Sequence, residues 1–140
     1  MRKRDHNALR EYLRDLADAL ELRDWTVALA VGDPSGPARA DGHRWGASSE
    51  SIPGRKHVTV TFPPDVRDWE PNELRVTACH ELIHAHLAPL SEMWRVDLYQ
   101  HVARPTYELF NDGATRWLEY AVDALADATA RHQPLIEWPS

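Results

Sequence analysis

A single cysteine, Cys79, in 140 residues excludes an intrachain disulfide and any zinc framework built from several thiolates. No run of about 18 apolar residues occurs, so no membrane-spanning helix is expected. Basic residues are outnumbered, 16 against 22 acidic ones, for a net charge of -6. That balance argues against a non-specific nucleic-acid binder, which needs Lys and Arg to neutralise phosphates, although a local basic patch stays open. Internal repeats and low-complexity tracts are absent. Arg2, Lys3 and Arg4 are basic like the start of a signal peptide, but no apolar core follows them. They read as a solvated end, and a reducing cytoplasm is the expected location.

What is present fits one domain over residues 1–140, with an extended tail at 132–140. The chain is 43% hydrophobic and 27% charged, the mix of an ordinary globular protein. Leu9, Tyr12, Leu13, Leu16 and Leu20 recur at helical steps and predict a helix over about 7–22. Its outer face is Arg10, Glu11, Arg14, Asp15 and Asp18. Trp25, Val27, Leu29 and Val31 alternate as in a strand, and residues 32–37 form a turn-rich loop. Residues 38–49 are polar and ambiguous, with a weak strand signal at His43, Arg44 and Trp45. After a turn at Ile52, Pro53 and Gly54, Val58, Val60 and Phe62 alternate as a second strand that Pro63 and Pro64 stop. A helix is expected over 71–87, with Val76, Cys79, His80, Ile83, His84 and Leu87 on one stripe and Pro89 ending it. Residues 91–103 read as helical. So do residues 106–131, with Leu118, Val122 and Leu125 on the apolar side. The order gives an α+β fold: an N-terminal helix, a small and mostly antiparallel sheet, the central helix and C-terminal helices.

The central helix carries His80-Glu81-Leu82-Ile83-His84, an H-E-x-x-H string. Histidines four apart on a helix differ in direction by about 40°, so both imidazoles can meet one ion. Glu81 projects between them and to one side, where it can reach a water without ligating the metal. Zinc held by neutral imidazoles with an open position lowers the pKa of its water, and Glu81 can take that proton. The plain alternative is two histidines at the core's edge and a surface glutamate. Buried, such groups would need partners.

A third ligand is required. Leu87 and Leu90 occupy the positions where an extended H-E-x-x-H-x-x-G-x-x-H would have Gly and His. Glu119 and Asp123, four apart on the last helix, are the next candidates. Glu119 can bind the ion, and Asp123 can accept the outward N–H of a ligand histidine. Glu108 is the rival ligand, followed by Asp97, His101 and Asp112. Cys79 reads as a core residue, His86 as a surface one, and the six tryptophans as core.

These residues resemble a gluzincin-type zinc metallopeptidase, through His80-Glu81-Leu82-Ile83-His84 and through Glu119-Tyr120-Ala121-Val122-Asp123, an E-x-x-x-D second motif. The layout is similar to minimal members of that clan such as the ImmA/IrrE-type and SprT-like peptidases. The resemblance implies one zinc ion on His80, His84 and Glu119, Glu81 as catalytic base, Asp123 behind a ligand histidine, and a peptide or protein substrate. In such folds the strand beside the motif helix is often an edge that takes substrate as an added strand, and residues 56–61 fit that place, although a plain sheet strand is the slightly favoured reading. The residue that holds the oxyanion is not fixed by either motif; Tyr107, Tyr120, His101 and Arg116 are candidates. The alternatives are a zinc-containing protein-interaction module without catalysis and a zinc hydrolase of another amide or ester.

Overall fold

The computed structural model describes residues 1–34 and 46–140, so the weak strand signal at His43, Arg44 and Trp45 and the second half of the 32–37 loop lie outside the described residues. Helix α1 (Lys3–Ala19) buries Leu9, Tyr12, Leu13 and Leu16 and turns its charged face outward, as the periodicity predicts. It starts four residues earlier than expected because its first turn is tied inward. Asp5 is 1% exposed. Arg2 Nε donates to it at 2.9 Å and Arg67 lies 3.5 Å away. The basic end is therefore partly an ion-pair anchor rather than simply solvated.

Three strands follow: β1 (Thr26–Val31), β2 (Ser48–Ile52) and β3 (His57–Phe62). Their order is β1-β3-β2, so β3 is central. β2 and β3 form an antiparallel hairpin around a short 3-10 turn, Pro53–Arg55, closed by Lys56 in a left-handed conformation at φ 47. β1 pairs with β3 in parallel. The sheet is thus mixed rather than mostly antiparallel. The hairpin fixes β2 against one side of β3, and the long connection from Val31 lets the chain reach that edge while β1 keeps the other. Val58, Val60 and Phe62 point into the core with no exposure at all, as their alternation requires. Phe62 meets Trp69 edge to face at 5.9 Å.

Helix α2 (Pro71–Glu92) is longer than expected and runs through Pro89. A proline there removes one backbone donor and crowds the carbonyl four residues back. Burial of Ala88, Ser91 and Trp94 around it offsets that cost. The chain then widens into a π turn, Met93–Asp97, and tightens into a 3-10 turn, Leu98–Gln100, so the segment expected to be plain helix is irregular. Helix α3 (Arg104–Ala130) follows, with Pro105 tolerated in its first turn.

α2 is the central element. Leu74, Ala78, Cys79, Leu82, Ile83 and Ala85 are all buried, because it packs against the sheet and α1 as well as α3. Val122, Ala126 and Ala130 form the buried stripe of α3, whereas Leu125 is 45% exposed and does not belong to it. The small alanines allow close approach of the two helices. Residues 134–140 have no regular structure and lie against the body. Tyr12 Oη donates to Pro134 O at 2.8 Å, Arg75 Nη1 to Gln133 O at 2.8 Å, and Ile136 is buried. Trp94 is buried, and Trp25, Trp69 and Trp138 pack on the core. Trp117 is the exception among the described tryptophans, at 68% exposed.

Candidate metal centre

The α2–α3 packing brings His80, His84 and Glu119 to one point. His80 Nε2 and His84 Nε2 are 3.1 Å apart. Glu119 Oε2 is 3.4 Å from the first and Oε1 is 3.4 Å from the second. Two donors bound at 2.0–2.1 Å to one tetrahedral zinc lie about 3.3 Å from each other, so this spacing fits such an ion. The chemistry fits as well. Two imidazole nitrogens and a carboxylate oxygen suit zinc, and such electron-rich atoms this close require a proton or a cation among them. These three residues form the metal-capable group among the described residues.

The outer side of His80 is also engaged: its Nδ1 lies 3.0 Å from Asp123 Oδ1. A proton on Nδ1, donated to that carboxylate, leaves Nε2 free as a ligand. Burial works against a charged His80, but the hydrogen bond to Glu119 and the charges of Glu81, Glu119 and Asp123 outweigh it and raise its pKa. Hydrogen bonds from His80 and His84 hold the Glu119 carboxyl down at about 2, against the opposing effect of burial. The site therefore attracts positive charge.

Glu81 is 6% exposed, so it is not the surface glutamate of the plain alternative. Burial raises its pKa; a hydrogen bond from Ser49 and the nearby His80 and His84 pull the other way. It lines a cleft of about 390 Å³ shared with both histidines and Glu119. Ser48, Ser49 and Ser51 of β2 form one wall, and Ala88, Ser91 and Arg95 continue the floor beyond His84.

Other expected residues lie elsewhere. Glu108 is exposed and paired with Arg104 Nε at 2.8 Å, so it is not the third donor. Asp97, His101 and Asp112 are exposed and outside the cluster. None of Tyr107, Tyr120, His101 and Arg116 lines the cleft; Arg95 is the cationic side chain that does. Residues 56–61 do not form an edge, because β3 is paired on both sides; among the described strands β2 is the edge strand that lines the cleft. Cys79 is buried, with its thiol pKa pushed up to about 11 by that burial. His86 is exposed, turned from the site, with Nε2 2.6 Å from Leu20 O at the end of α1.

Sequence reasoning missed Ser49 and Arg95. Ser49 sits in a polar stretch without strand character, and nothing local reports its neighbour. Arg95 did leave a signal: His84, Ala88, Ser91 and Arg95 follow at steps of four, three and four, one helical face. No helix among the described residues is long and apolar enough to cross a membrane. The chain matches no protein-family model, no curated protein and no solved structure.

Proposed function

We propose that the protein is a zinc-dependent metallopeptidase of the gluzincin type. The observation that carries this reading is the convergence of His80, His84 and Glu119 within 3.4 Å beside a buried carboxylate, Glu81, in one open cleft. His80, His84 and Glu119 would hold the ion, with Asp123 orienting the His80 ring. A zinc ion there supplies Lewis acidity, which polarises a carbonyl and lowers the pKa of a water. Glu81 takes the proton of the attacking water and delivers it to the leaving amine. Ser49 holds the Glu81 carboxylate toward the cleft. The outer edge of β2, which no other described strand pairs, would offer backbone donors and acceptors to an extended peptide, which supports a peptide or protein substrate over a small amide or ester.

Purified wild-type protein should carry one zinc per chain by elemental mass spectrometry, and both His80→Ala and His84→Ala should lose it. Glu81→Gln separates an enzyme from a zinc-containing binding module. It should keep zinc and fold while losing cleavage of an unfolded protein such as casein. Zinc-free wild type would end the proposal, and undiminished cleavage by Glu81→Gln would remove Glu81 from the mechanism.

A further inference from the structure

The cleft has a second end. From the histidine pair its floor runs along the close of α2 and into the π turn Met93–Asp97, through His84, Ala88, Ser91 and Arg95. Arg95 comes eleven residues after His84, about 16 Å along the axis and within about 20° of it in direction. Helical side chains lean toward the N-terminus, so the guanidinium comes back toward the histidines. The π turn that carries it is a rare geometry that recurs at functional sites.

Between the two ends the floor is small and uncharged. The Ser91 hydroxyl donates to Ala88 O at 3.0 Å, so it is already engaged. The walls carry no charge there: serines of β2 stand on one side, Thr115 and Leu118 of α3 on the other. Of the ionisable groups in the cleft, His80, Glu81, His84 and Glu119 belong to the metal centre, which leaves Glu92 and Arg95. Glu92 stands about 80° round the helix from His84, at the margin, and forms no ion pair with Arg95. Among the described residues Arg95 has neither a hydrogen-bond nor an ion-pair partner, and it is the one Lys or Arg lining the cleft. A guanidinium is a planar fork that takes a carboxylate through two parallel hydrogen bonds. In a chain of net charge -6 a free fork at the end of a cleft is a local attraction for an anion that most of the surface would repel.

We infer that Arg95 is a carboxylate-recognising subsite, so that the preferred substrate carries a carboxylate, on an acidic side chain or at a free C-terminus, close to the bond held at the metal centre. Extended chain rises about 3.3 Å per residue, so the carboxylate lies within about five residues of that bond. This deepens the metallopeptidase reading and rests on it.

Calorimetric titration of the full chain with short peptides of Ala, Gly and Ser, up to about 5 mM, tests the subsite. The Glu81→Gln background keeps the peptide from being consumed. One peptide is blocked at both ends and uncharged, a second has one central Asp, a third has Lys in its place, and a fourth has a free C-terminal carboxylate. The Asp peptide or the free-terminus peptide should bind on the order of tenfold tighter than the neutral one, and whichever does so names the source of the carboxylate. Arg95→Gln should erase the difference, and Arg95→Glu should pass the preference to the Lys peptide, both with zinc content and melting curve unchanged. Arg10→Gln, which removes the same charge from the exposed face of α1, should leave the preference intact. Equal or undetectable binding of charged and neutral peptides overturns the inference. So does a preference that survives Arg95→Gln, or one that Arg10→Gln removes as well. Zinc measured on the same samples separates the two readings: zinc-loaded protein without the preference sinks the subsite alone, and zinc-free protein with it sinks the peptidase alone.

Discussion

His80 uses both of its ring nitrogens: Nδ1 lies 3.0 Å from Asp123 Oδ1, and Nε2 lies 3.4 Å from Glu119 Oε2. Two carboxylates one turn apart on α3 thus grip a single imidazole from α2. Asp123 fixes the ring's orientation at Nδ1, and Glu119 faces Nε2, the nitrogen that an ion would take once its proton has left.

That division of labour orders the expected losses in zinc affinity. Asp123→Ala should weaken binding roughly 10–100-fold, the usual cost of removing an outer partner. Glu119→Ala should cost more, because it deletes a donor, and Glu108→Ala should change nothing. Competition titration with a chromogenic chelator measures all three. A larger loss from Glu108→Ala than from Glu119→Ala would reassign the third ligand.

The ion pair at the start of α1 predicts a pH dependence of stability. The hydrogen bond from Arg2 leads the effects that lower the Asp5 pKa below its usual 3.8, against the opposing effect of burial. A depressed carboxylate stabilises the fold fully above the unfolded pKa and loses that contribution as pH falls through the folded value. Asp5→Asn should therefore melt lower than wild type at pH 7, and the gap should close below about pH 4. A gap that persists unchanged into acid would assign the effect to packing rather than charge.

Phe62 is fully buried at the end of the central strand and meets Trp69. Phe62→Ala should lower unfolding free energy by about 3–5 kcal/mol, the cost of lost burial plus an unfilled cavity. Urea unfolding with a fixed m-value gives the number. A loss under about 1 kcal/mol would mean that the surrounding core collapses into the space.

The tail is held to α1 by one well-placed hydroxyl. Tyr12→Phe removes the donor to Pro134 O and should cost about 0.5–1.5 kcal/mol. Burial pushes the Tyr12 pKa up to about 12, so it should remain protonated after exposed tyrosines have ionised in an absorbance titration at 295 nm. Titration together with the other tyrosines would place its hydroxyl in water.

Several features were legible in the residues because their causes are local. The H-E-x-x-H spacing puts two imidazoles on one helical face wherever the helix packs. The alternation in β3 and the leucine stripe of α1 each name a buried side, and the structure follows both. β2 was not legible: Ser48–Ile52 holds one apolar residue and is a strand because β3 offers it a ladder. Pro89 marks a helix end by local rules, yet packing around Ala88 and Trp94 carries α2 past it. The apolar side of α3 was ambiguous for a different reason: the helix has two such sides, and a single periodicity cannot say that Leu125 faces water while Ala126 is buried.

The sequence by itself determined the α+β class and the pairing of His80 with His84, since both follow from periodicity within a few turns of chain. It also supplied Glu119 and Asp123 as one-turn neighbours. Only the tertiary structure decided that Glu119, rather than Glu108, meets the histidines, that Glu81 is buried against Ser49, and that β2, not β3, is the strand lining the cleft. Those outcomes depend on how α2, α3 and the sheet are oriented relative to one another, and that orientation comes from packing between segments distant in the chain, which no local pattern records.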